Sequence, residues 1–126
     1  MRLPFGNRAV TLLRRCAQTD AEGRRHEAYV PIMLTGCSWR PRRFGVEVGS
    51  ARMDGQSAVC RIPADQPKPA AGDILLCGTL GAGGCVSPSE AAALLRERGR
   101  EAMRVGSVID GTGGPLKHWR CEGEQG

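Results

Sequence analysis

The sequence predicts a mainly β domain, a small β-barrel or sandwich with one short helix inserted before the C-terminal hairpin. Three observations carry that prediction. Apolar residues recur in short runs separated by Gly-, Pro- and polar-rich turn signals. A single segment, Ser87 to Gly99, combines helix start and stop signals with a helical apolar period. The chain then closes on two alternating runs, Met103–Asp110 and Lys117–Gly123, around a Gly-Thr-Gly-Gly-Pro connector, the pattern of a hairpin with a longer loop. At 126 residues the chain makes one domain over 1–126, with residues 1–8 and 119–126 expected to be extended or frayed.

Ala9–Cys16 reads as the first strand, and Gln18–Arg25 as a polar turn. His26–Trp39 holds three apolar groups, Tyr29-Val30, Ile32-Met33-Leu34 and Cys37-Ser38-Trp39. Pro31 has no N–H to give a ladder, so it predicts an edge position or a bend. Pro41-Arg42-Arg43 is expected to break this run. Phe44, Val46 and Val48 alternate as a short strand, with a mobile loop over Gly49–Ser57. Ala58–Pro63 is a strand ended by proline, and Ala64–Gly72 is a linker. Asp73–Gly78 contains a continuous apolar run short enough to be a strand buried on both faces. Ser87 suits an N-cap, Pro88 the first helical position and Glu90 the capping-box position. Ala91, Leu94 and Leu95 make the apolar stripe, and Gly99 ends the helix.

The net charge of +5 is unevenly spread. Residues 1–63 carry 11 Arg and 5 acids, whereas residues 64–126 carry 7 Lys and Arg and 8 acids. A basic first half suits phosphates or an acidic partner face. Arg40, Arg42, Arg43 and Arg52 are the candidate DNA or partner contacts. Trp39 and Trp119 are candidate core anchors, because a chain with so few aromatics relies on each for burial. The aromatics are not interleaved with the arginines, which argues against a base-stacking platform.

No reactive constellation stands out, and neither a catalytic residue nor a cofactor is assigned. Six cysteines are present without a C-x-x-C pair, and reduced thiols packed as small hydrophobes are expected. His26 and His118 are the only histidines, with no Gly-x-Ser-x-Gly elbow beside them. The glycine-rich stretch Gly78–Gly84 precedes the helix but lacks the Gly-Lys-Ser/Thr of a phosphate loop. There is no apolar run of about 18 residues to span a membrane and no signal-peptide core, so cytoplasmic synthesis is expected.

Four phrases occur in fixed order: Leu34-Thr-Gly-Cys-Ser-Trp39, Val59-Cys-Arg-Ile-Pro63, Gly72-Asp-Ile-Leu-Leu-Cys-Gly78, and Val105-Gly-Ser-Val-Ile-Asp110 with His118-Trp-Arg-Cys-Glu-Gly123. The set resembles a family of small tailed-phage and prophage proteins described as minor capsid or head–tail connector proteins. The resemblance covers residues 9–123. Ala71 stands where the family has proline before Gly72-Asp73. The resemblance implies a stopper-like structural subunit of a virion neck, not an enzyme. It implies a homo-oligomeric ring, a hexamer or dodecamer, that touches portal or adaptor, tail proteins and packaged DNA. Long connectors, Gly49–Ser57, Ala64–Gly72, Gly78–Cys85 and the loop after Asp110, would reach ring neighbours. Two alternatives come from a different direction: a small basic nucleic-acid-binding β-barrel, or another phage role such as tail terminator or minor capsid protein.

Overall fold

Six strands pair in the order β1-β2-β3-β6-β5-β4 and close into an antiparallel barrel in the computed structural model. They are β1 (Arg8–Thr19), β2 (Arg25–Val48), β3 (Ala51–Pro63), β4 (Ile74–Cys77), β5 (Ala102–Asp110) and β6 (His118–Glu124). Helix α1 (Pro88–Arg98) and a 3-10 turn (Gly99–Glu101) join β4 to β5. The structure describes residues 6–48, 51–80, 84–111, 113 and 116–124, except the side chains of 42–48 and 51–56. The barrel is the form taken, rather than a sandwich. Closure leaves β1 and β4 paired to each other instead of presenting two free edges.

β2 is the longest strand and serves two neighbours. Its first half pairs with β1, from Thr19↔Arg25 to Val10↔Leu34. Its second half pairs with β3, from Ser38↔Arg61 to Val48↔Ala51. The hand-over falls at Gly36, whose φ is +65°, beside a register shift between Arg8 and Val10. The edge expectation for Pro31 fits this layout. Tyr29 exchanges both backbone bonds with Val86, each 2.8 Å, on the side of β2 away from β1. Two residues on, Pro31 turns its missing donor to that same side, so no ladder bond with β1 is lost.

Two readings need correction. Pro41-Arg42-Arg43 does not end the strand: Pro41 sits in register with Ala58 inside a continuous β2. It lies where β2 has β3 as its only ladder neighbour, and there an imino nitrogen is tolerated. The expected mobile loop over Gly49–Ser57 is instead largely strand, because β3 begins at Ala51; Gly49 and Ser50 lie outside the described residues. Residues 119–124, expected to be extended or frayed, are extended: they belong to β6, which is paired to β3 on one side and β5 on the other as far as Glu124. At the other end Arg8 already begins β1, and residues 1–5 and 125–126 lie outside the described residues.

Two apolar layers result from strand alternation. Val10, Leu12, Leu34, Cys37, Trp39, Cys60, Ile62, Leu75, Met103, Val105 and Cys121 fill the barrel. On its outer side Leu13, Ile74 and Leu76 meet Ala91 and Leu95 of α1. β4 is therefore covered on both faces, which is why its sequence reads as an unbroken apolar run. The helix starts as expected, with the Ser87 hydroxyl accepting from the Glu90 N–H, and ends at Gly99. Arg98 ties it back by donating from Nη1 to the Cys77 carbonyl at 2.9 Å.

The Ala64–Gly72 linker folds onto the barrel end. Gln66 pairs its amide with both backbone groups of Thr35, at 2.8 and 2.6 Å, and its own carbonyl accepts from Trp119 Nε1. Lys68 stands over the Trp119 ring.

Candidate arginine-lined interface

Alternation decides what β2, β3 and β6 show to solvent. Trp39, Cys60 and Cys121 are in register across the three strands and point into the barrel core. Their neighbours must point outward. Two outward rows follow: Arg40↔Val59↔Glu122, and Ser38↔Arg61↔Arg120. Arg40, Pro41, Val59, Arg61 and Arg120 line a cleft of about 260 Å³. Val59 is not part of the barrel core, yet it is only 3% exposed; it forms an apolar floor between arginine stems.

The charges in this cleft are poorly balanced. Arg120 Nη2 lies 2.8 Å from Glu122 Oε1. Its Nε is buried and has no hydrogen-bond partner among the described residues. Arg61 and Arg120 stand directly opposite each other across the β3–β6 ladder, an arrangement that like charges disfavour. Among the described residues three guanidinium groups line the cleft, and one carboxylate, Glu122, adjoins it through Arg120.

Of the arginines singled out from the sequence, Arg40 lines this cleft and is exposed. Arg42, Arg43 and Arg52 occupy register positions opposite Ser57, Gln56 and Glu47 on the β2–β3 ladder; their side chains lie outside the described residues. Arg61 and Arg120 were missed. The available signal was alternation: each is a lone charge between two apolar residues, Cys60 and Ile62, or Trp119 and Cys121.

Trp39 is 8% exposed within the barrel core, and its Nε1 donates to the Arg100 carbonyl at 3.1 Å. Trp119 is partly buried against the same core. His118 donates from Nδ1 to the Leu116 carbonyl at 2.7 Å, and His26 pairs with Asp20 at 2.6 Å. That contact, with two backbone N–H donors, holds the Asp20 carboxyl below its usual range and shapes the turn over 20–24.

Four thiols share the barrel interior: Cys37, Cys60, Cys77 and Cys121. Cys37 Sγ donates to the Thr35 carbonyl at 3.7 Å, and the neighbouring Cys37 together with burial raises the Cys60 pKa well above the usual thiol value. Burial pushes Cys77 up to about 11 and Cys121 up to about 12. At neutral pH the Cys60, Cys77 and Cys121 thiols are protonated and pack as small apolar groups.

Among the described residues no group of three or more His, Cys, Asp and Glu could hold a metal ion. No described helix is long and apolar enough to cross a membrane. Comparison with protein-family models, with curated proteins and with solved structures gives no match.

Proposed function

We propose that this protein is a structural subunit of a tailed-phage virion, a stopper-like neck protein that forms a ring between portal or adaptor and tail. The observation that carries the reading is the β2–β3 ladder. It continues from Arg43↔Gln56 to Val48↔Ala51, beyond Ser57↔Glu124, the last pair of β3 with β6, so among the described residues this stretch pairs only with itself. An isolated two-stranded ribbon is marginal in water. A neighbouring subunit laid against it would supply the missing burial, and heterologous contacts of that kind close into rings.

The four ordered phrases support the same reading, since each coincides with a structural landmark. Leu34–Trp39 spans the β2 hand-over, Val59–Pro63 forms the inner part of β3, Gly72–Gly78 contains β4, and the last pair is β5 with β6. Purified protein, alone and mixed with a phage portal ring, should form rings by negative-stain microscopy and light scattering. Protein that stays monomeric at high concentration and binds neither portal nor tail components overturns the proposal.

A second reading, a basic nucleic-acid-binding barrel, is favoured by one observation, the outward arginines of β2, β3 and β6. It requires duplex DNA binding whose affinity falls steeply with salt.

A further inference from the structure

We propose that the cleft between Arg40, Arg61 and Arg120 is a binding site for a single phosphate group. The inference stands on the cleft alone and holds whether or not the chain forms a ring.

Three observations converge on it. First, two arginines are placed face to face on adjacent strands, Arg61 opposite Arg120, and a third, Arg40, comes from the next strand. Neither Arg40 nor Arg61 has an ion pair or side-chain hydrogen bond among the described residues, so ten guanidinium N–H donors have no protein acceptor there. Second, the Arg120 Nε–H is buried without a partner, while Glu122 holds the Nη2 end of the same group. Nε itself is shielded, so it is the Glu122 contact that fixes the Arg120 guanidinium at the cleft wall, and an anion would meet the outer N–H groups of Arg40 and Arg61 beside it. Third, the floor is the buried apolar Val59, which strengthens charge-assisted hydrogen bonds made above it.

The class of ligand follows from size and charge. A cleft of about 260 Å³ falls just under the range typical of sites for larger organic ligands, roughly 300–1,000 Å³. It suits one small anion. Guanidinium forks match both carboxylate and phosphate. With one carboxylate, Glu122, already present on Arg120, the remaining excess of positive charge favours the more highly charged phosphate. Such a group could be a backbone phosphate of a nucleic acid or a free phosphate ion, and the test separates them.

The arginine Nε–H resonances of ¹⁵N-labelled protein can be followed while inorganic phosphate is added at constant ionic strength. The expected result is a saturable shift of the Arg120 and Arg61 signals, with sodium acetate binding at least about tenfold more weakly. Arg61→Gln should weaken phosphate binding by about tenfold or more, the loss of one charge-assisted pair. Arg61→Lys, which keeps the charge and loses the fork, should fall between. Val59 and the core beneath do not depend on the Arg61 head group, and circular dichroism checks that the variants fold; Arg40→Gln replaces any that does not. A short DNA duplex without terminal phosphates that moves the same signals identifies the backbone as the source, and a duplex that leaves them still identifies free phosphate. Shifts that follow ionic strength alone, that acetate reproduces equally, or that Arg61→Gln leaves unchanged overturn the site.

Discussion

Asp73 joins three parts of the barrel through one residue. Its carboxylate accepts from the Arg15 N–H and the Ala70 N–H, both at 2.9 Å, while its backbone carbonyl accepts from Val105 N–H at 2.8 Å. It is 3% exposed, so water cannot take over these bonds. Gly72 beside it has φ +94°, and a Cβ there would lie 2.9 Å from the Arg15 guanidinium carbon. This gives the Gly72-Asp73 phrase a physical reason that its sequence did not reveal, since a lone Asp before an apolar run also reads as an ordinary turn residue. Asp73→Ala should lower stability by about 2–4 kcal/mol, measured by urea unfolding, because two part-buried backbone N–H groups lose a charged acceptor. Gly123 is constrained differently. A Cβ on it would collide with the Arg104 carbonyl across the β5–β6 bulge. Gly123→Ala should therefore cost at least about 3 kcal/mol in the same assay, more than an exposed glycine such as Gly113 would show.

At the scale of elements, α1 and β4 were legible and the β2–β3 ribbon was not. The helix announces itself through Ser87, Pro88 and Gly99, local signals that hold wherever the segment packs. β4 is legible because burial on both faces removes polar residues from it. Along β2, by contrast, Pro31 and Pro41 are local vetoes that tertiary context overrides, since each sits where the strand has a ladder neighbour on one side only. The arginine cleft was half legible: Arg40 stands in a basic cluster, but Arg61 and Arg120 come together only through the β3–β6 register. Replacing residues 42–57 by Asn-Gly, to join the register partners Pro41 and Ala58, tests the ribbon. The thermal midpoint should move by no more than about 5 °C, because the barrel core loses none of its residues, whereas ring formation should disappear in microscopy. A shortened protein that still forms rings assigns the ring contact elsewhere.

For the whole molecule, the thiol-lined interior sets how stability depends on pH. Cys77 and Cys121 ionise near 11 and 12 in the folded barrel, while in the unfolded chain they ionise near 8.5. Raised folded values mean the unfolded chain loses protons first. Their contribution is complete below about pH 8.5 and is lost as pH rises through 11 to 12. The urea midpoint of reduced protein should thus fall between pH 8 and pH 10.5, and Cys121→Ala, though less stable at neutral pH, should show a shallower fall. An equal slope in both proteins would place the titrating groups elsewhere. The closing ladder of the barrel has its own consequence. β1 and β4 meet over only four residue pairs, Val10↔Cys77 to Leu13↔Ile74, joining segments far apart in sequence. α1 lies across this join, with Ala91 and Leu95 against Leu13, Ile74 and Leu76. The join is a seam and the helix its clasp, so the cylinder should breathe there first and only when the helix lifts. Native-state hydrogen exchange should find β4 amides opening together with those of α1, and Leu95→Ala should speed both while leaving the β3–β6 amides as slow as before.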